Sequence, residues 1–251
     1  MKKIIILILA FSITGILSAN DNLLLLEEAN KSYTEDNFEK AIELYEKVIE
    51  NGNESAAVYF NLGNAWFKIN NMPEAILYYE KARKLTPYDD DILFNLQVAN
   101  SRIVDKIESV PEIFYVRWWK NLLYFFSVDQ WAAISLIASG LLMLMLLFFL
   151  LSNWYWLRKT SFWLGIVFLI VAGTGYLLAN QKHQSFIREH QAIVFTPTLT
   201  VKSSPSETGI DVFVIHEGSK VQITDHIGDW LEVQIANGSV GWIREDDVKK
   251  I

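Results

Sequence analysis

Cysteine is absent from all 251 residues, which excludes a disulfide framework, a thiolate metal centre, a cysteine nucleophile and lipid attachment through sulfur. Export remains open. An excess of positive charge is missing too: 22 Lys and Arg stand against 29 Asp and Glu, a formal net charge of −7. Nucleic-acid binding needs a basic face to neutralise phosphates, so the balance argues against that class. The chain holds no Gly-rich phosphate loop of the Walker type and no His-Glu-x-x-His helix. Its four histidines, His183, His190, His216 and His226, have no carboxylates clustered at ligand spacing. Ser203, Ser204 and Ser206 sit in a Pro-containing turn without the strand-to-helix context of a nucleophile elbow. No catalytic residue, metal ligand or cofactor is therefore expected.

The charge that is present is unevenly spread. Residues 20–110 carry 9 basic and 17 acidic side chains and residues 183–251 carry 6 and 10, whereas 111–182 carry 5 and 2. Two acidic blocks thus flank a basic-edged apolar middle. At the start, Lys2 and Lys3 precede the apolar run Ile4–Leu17 and then Ser18 and Ala19, the layout of a secretory signal over residues 1–19. The alternative is an uncleaved anchor, although the run is shorter than the ~20 residues a span needs.

Gln130–Leu157 and Thr160–Gln181 contain no charged residue, and transmembrane helices are expected over 130–152 and 161–180. The turn between them, 153–160, sets Arg158 and Lys159 beside Trp154, Tyr155 and Trp156, a composition expected at the cytoplasmic interface. With an export signal ahead of them, two spans return the chain to its starting side. Both soluble parts are then expected outside the cytoplasmic membrane. Residues 111–129 place Tyr115, Trp118, Trp119, Leu122 and Phe126 at helical spacing beside Arg117 and Lys120. This amphipathic aromatic linker suits either the membrane interface or packing against the protein.

The front block repeats. Residues 37–53 realign on 71–87 at an offset of 34, with Ala41 over Ala75 and Tyr45 over Tyr79. Small Gly63 and Ala75 allow two antiparallel helices to cross closely, Leu62, Trp66 and Tyr79 fill the gaps, and Pro87 stops the second helix. The order Tyr59, Leu62, Gly63, Trp66, Ala75, Tyr79, Ala82, Pro87 resembles the tetratricopeptide (TPR) repeat. Two units, 22–53 and 56–87, are followed by an expected capping helix over 89–108, begun by Asp89–Asp91 at the positive end of the helix dipole. The whole array spans 22–108. The resemblance implies a concave face of first helices that holds peptide, here Asn30, Tyr33, Asn61, Asn64, Lys68, Asn95 and Arg102. Asparagine amides can fix an extended backbone and the two cations a carboxylate; a solvated polar face is the alternative.

In the last block the hydrophobic period becomes two. Val221 and Ile223 alternate with polar residues, as do Leu231, Val233 and Ile235, and Asn237-Gly238 signals a tight hairpin whose central residues both take positive φ. Short strands with turns between them predict a small all-β barrel over 190–251. Val201-Lys202-Ser203 with Pro205, His216-Glu217-Gly218, Asp229-Trp230 and Gly241-Trp242-Ile243 resemble a bacterial SH3-like domain. Trp230 and Trp242 are its candidate binding surface, with structural packing as the other reading.

The fold class expected is a multidomain membrane protein: an all-α TPR helical repeat, two transmembrane helices and a small all-β SH3-like barrel. That order resembles the BatE-like proteins of the Bacteroides aerotolerance family, with Phe94–Ile107, Pro111 and Arg117-Trp118-Trp119 as a further match. The resemblance implies a membrane-anchored interaction scaffold in an envelope stress complex. It also implies integral membrane partners with von Willebrand A domains and a MoxR-type ATPase. A sensor or binder of cell-wall fragments or peptides through the barrel is the alternative, and a hydrolase a distant third.

Overall fold

The computed structural model describes residues 22–106, 113–188 and 190–251. The signal expected over 1–19 lies outside the described residues, as do 107–108 of the capping helix and 111–112 of the linker. Two compact units emerge. One joins the repeat array to the C-terminal barrel, and the other comprises the helices between them.

In the first unit, α1 (22–34) and α2 (Phe38–Glu50) form one helix pair, and α3 (Ala56–Lys68) and α4 (Met72–Leu85) the next. The two turns inside these pairs repeat to the residue. Asp36 and Asn70, 34 apart, both adopt positive φ (58° and 63°), a conformation that short polar side chains tolerate best after glycine. Asn37 and Asn71 then cap the second helices by accepting from the amides of Lys40 and Glu74. Gly63 is needed where the helices cross, because a Cβ there would lie 2.7 Å from the Tyr79 ring. Ser32, the smaller counterpart of Trp66, is buried, and Leu25, Leu26 and Tyr33 of α1 pack on the core of Ala41, Tyr45, Val48 and Leu62. The less regular first helix is held by these contacts.

Helix α5 (Asp90–Asn100) starts at Asp89, whose carboxylate accepts from the amides of Asp91 and Ile92, both at 3.1 Å. It buries Ile92, Leu96 and Ala99. The helix ends well before residue 108. Ile103 instead joins the core around Ile76 and Leu96, and Asp105 bonds the barrel. The β-branched Ile103-Val104 pair has weak helical preference, so these tertiary contacts prevail over helix continuation.

Seven antiparallel strands make the barrel: β1 (Gln191–Val194), β2 (Thr198–Lys202), β3 (Asp211–His216), β4 (Lys220–Ile227), β5 (Trp230–Gln234), β6 (Val240–Arg244) and β7 (Val248–Lys250). Their order in the sheet is β3-β2-β6-β5-β4-β1-β7. Val194, Val201, Ile215, Val221, Leu231, Val233 and Ile243 fill its interior. The β5–β6 turn corrects the expected tight hairpin: Gly238 alone has positive φ (93°), the Ile235 amide bonds the Ser239 carbonyl, and Asn237 Oδ1 accepts from the Ser239 amide. This is a three-residue loop closed by a left-handed glycine.

The second unit holds α6 (Phe114–Tyr124), α7 (Val128–Leu151) and α8 (Tyr155–Arg188). Ser127 and Gln130 form a reciprocal capping box at the start of α7. Val128–Leu151 and Tyr155–Lys182 are long and apolar enough to cross a membrane, and 6% and 22% of their most apolar stretches are buried. Helices belonging to a protein core would be mostly covered, so these suit lipid better. They pack closely: a Cβ on Gly175 would lie 3.3 Å from Ser135, and Ser135 Oγ donates to the Ala172 carbonyl at 2.8 Å. Only Ser152–Trp154 separate them, and α8 runs past 180 at its far end. Helix α6 sets Leu122 and Leu123 against Trp131, Leu178 and Ala179, while Phe114, Tyr115, Trp118 and Trp119 stay exposed.

Candidate functional site

The first helices α1, α3 and α5 carry an asparagine ladder. Asn30 Oδ1 accepts from the Tyr45 hydroxyl at 2.6 Å and from Asn61 Nδ2 at 3.4 Å. One repeat later, Asn64 Oδ1 accepts from the Tyr79 hydroxyl and from Asn95 Nδ2, both at 2.8 Å. Burial raises both phenols above their ordinary value, Tyr45 to about 12, so they remain protonated donors. Four of the residues selected in the sequence thus join neighbouring helices through one oxygen of each pair. Their role in the fold leaves less of them for a ligand.

Tyr33, Asn64, Lys68 and Asn95 nevertheless line one groove of about 320 Å³ with Phe67, Tyr79, Phe94 and Val98. Exposed Lys68 lies 5.9 Å from the Phe38 ring centroid, and that ring meets Tyr33 edge-on at 5.4 Å. Asn30 and Asn61 are absent from the groove lining. Arg102 stacks 4.3 Å over Phe67 and lines a second cavity, of about 440 Å³, with Asn70, Asn71, Ile103 and Glu217. Sequence reasoning missed the apolar wall. Phe94 is 34 residues after Phe60, which packs against the core; among the described residues no further repeat covers Phe94, which is 65% exposed.

The barrel rests on the second-helix side of the same array. Ile193 of β1 points away from the barrel interior, is fully buried, and belongs to the core of Ala75, Ile76, Tyr79 and Leu96. Phe195 and Ile251 pack beside it. Polar contacts border this patch. Glu80, nearly buried, pairs with Arg83 at 2.6 Å and Lys220 at 3.0 Å; Glu74 pairs with Lys249; Lys84 Nζ donates to the Ile251 carbonyl at 3.2 Å. Asp105 binds the β3–β4 turn, accepting from the His216 amide and Ser219 Oγ at 2.6 Å each, with His216 Nδ1 2.8 Å from its other oxygen. Burial opposes its ionisation, but these hydrogen bonds and the neighbouring imidazole outweigh that and hold its pKa below the ordinary value. Although Asp, His and Ser meet here, the serine hydroxyl donates to the aspartate and is 2% exposed. It is no activated nucleophile.

Trp230 and Trp242 are half-buried on the outer face of β5 and β6, opposite Arg244 and Glu232 respectively. Arg244 lies 5.8 Å from the Trp230 ring centroid and pairs with Glu207 at 2.7 Å. Trp242 is flanked on its other side by Lys202 of β2. Neither indole belongs to the barrel core.

A tetratricopeptide repeat model matches residues 26–90, and a bacterial SH3 domain model matches residues 197–249. No curated protein matches the chain. The chain therefore carries two interaction modules of non-catalytic kinds, in contact with each other, and between them in sequence two helices able to span a membrane.

Proposed function

We propose that the chain is a membrane-anchored interaction scaffold whose TPR and SH3-like modules act as one body on the periplasmic face of a bacterial inner membrane. The observation carrying this reading is the barrel's docking through Ile193 and Asp105, which occupies the second-helix side of the array. The first-helix groove around Lys68 and Phe94 stays open for a partner. Modules in direct contact cannot lie on opposite faces of a bilayer, and an even number of spans between them satisfies that condition. Tethering raises the effective concentration of the groove beside integral partners, making each encounter nearly intramolecular. From the resemblance to the BatE-like proteins, those partners are membrane proteins with von Willebrand A domains, joined to a MoxR-type ATPase in an envelope stress and aerotolerance complex.

Because the native chain has no cysteine, single cysteines report topology without background. Glu50→Cys and Asn237→Cys should react with an impermeant maleimide on cells whose outer membrane is permeabilised, while Asn153→Cys should react only after lysis. Opposite labelling of positions 50 and 237 would refute the single-body arrangement. Crosslinking in native membranes should recover the von Willebrand partners from the native chain and lose them with Lys68→Glu.

The exposed parts of Trp230 and Trp242 on one barrel face favour a second reading, binding of wall fragments or peptides. Co-sedimentation of the detergent-solubilised chain with purified peptidoglycan, reduced by alanine at both positions, is its expected signature.

A further inference from the structure

The two ends of the α7–α8 hairpin treat their cations differently. At one end Lys182 Nζ donates to the Phe126 carbonyl at 2.7 Å and lies 5.2 Å from the Tyr124 ring centroid. At the other, Arg158 and Lys159 lie over aromatic rings, Arg158 at 5.4 Å from Phe149 and Lys159 at 5.8 Å from Trp156. No Asp or Glu occurs anywhere in residues 130–188. Two cations therefore sit at the turn without a carboxylate in the hairpin to balance them.

They also share one site. Phe149, Asn153, Tyr155, Arg158, Lys159 and Phe162 line an open depression of about 510 Å³, with the Phe149 and Phe162 rings 5.9 Å apart. Its chemistry has two halves. Arg158, Lys159 and Asn153 offer hydrogen-bond donors to an anion. Phe149 and Phe162 supply an apolar wall. A free inorganic anion would satisfy only the first half and leave the wall wet.

We infer that this depression binds the phosphate-bearing headgroup of an anionic glycerophospholipid, with its acyl chains against Phe149 and Phe162. The inference rests on the reading of α7 and α8 as membrane spans. Arg158 forks onto the phosphate oxygens, Lys159 adds a second positive charge, and Asn153 donates to an ester or glycerol oxygen. Zwitterionic lipid carries the same phosphate but no net charge, so it gains less from a paired-cation site.

The test is retention of lipid by the full chain released from nanodiscs made of equimolar phosphatidylglycerol and phosphatidylcholine, counted by native mass spectrometry. Two cations at a surface should enrich phosphatidylglycerol on the protein by on the order of tenfold over the disc ratio. Arg158→Gln with Lys159→Gln should return retention to that ratio, while Lys182→Gln should keep the enrichment. Retention at the disc ratio by the native chain, or enrichment that survives the double substitution, would overturn the inference. In a second arm, inorganic phosphate is added to the solubilised chain; release of the retained lipid at millimolar phosphate would show an anion site without lipid selectivity and also overturn it. A chain that does not enter discs at all would refute the membrane reading itself, an outcome distinct from insertion without lipid preference.

Discussion

Replacing Asp105 by alanine should loosen the barrel from the repeat array. The carboxylate accepts two bonds at 2.6 Å, from the His216 amide and from Ser219 Oγ. Ser219 is 2% exposed, so alanine leaves its hydroxyl without a partner and out of reach of water. Unpaired buried donors cost about 1–3 kcal/mol each, and bonds to an ionised acceptor lie at the upper part of the usual scale. Together these give a loss of about 3 kcal/mol, equivalent to roughly a 150-fold rise in opening at this contact. Native-state hydrogen exchange of the full chain in detergent micelles reads it directly. The His216 amide, together with β1 (Gln191–Val194), should lose about two orders of magnitude of protection. Asp105→Asn, which retains one acceptor oxygen, should lose less. If the alanine variant leaves exchange at His216 and β1 within a factor of three of the native chain, the bonds around Asp105 do not hold the modules together and the argument fails.

Acid should act on the same contact, with a definite sign. The Asp105 pKa is held below its ordinary 3.8 in the fold, so its contribution is complete above that value and is lost as pH falls through the lower folded value. Protection at His216 should fall below about pH 4 in the native chain, and by less in Asp105→Ala. Within the array, Gly63→Ala gains helical preference but drives a Cβ to 2.7 Å from the Tyr79 ring. Overpacking of about 1–3 kcal/mol exceeds the gain of about 1 kcal/mol. Chemical denaturation should show net destabilisation, and an unchanged or raised midpoint would mean that the Tyr79 ring moves aside freely.

The helical repeat was legible because its period resides in residue size. Gly63, Ala75 and Tyr79 report a close crossing from sequence alone, and the 34-residue offset extends to turn residues such as Asp36 and Asn70 that carry no apolar signal. The hairpin and barrel were legible from long uncharged runs and from period-two alternation. The asparagines were harder. A polar residue on a helix face reads equally as solvated, ligand-binding or structural, and the bonds joining residues 31 apart, Asn30 to Asn61 and Asn64 to Asn95, exist only once the helices stack. The capping helix was overextended because local preference carries no information about Asp105, whose partners lie more than 100 residues away.

The docking of barrel on array did leave one trace in the sequence. Ala192-Ile193-Val194 is an unbroken apolar run, unlike the alternating strands β4 and β5. A strand covered on one side needs apolar residues only at every second position, whereas a continuous run offers a second apolar face, which β1 buries and which β3, with Val212 and Val214 exposed, does not. Ala192 and Val194 find cover inside the barrel and Ile193 finds it between the helices. The same residue therefore bears on fold and topology. Its burial requires repeat and barrel to share one side of any membrane the intervening helices cross, and only an even number of crossings permits that.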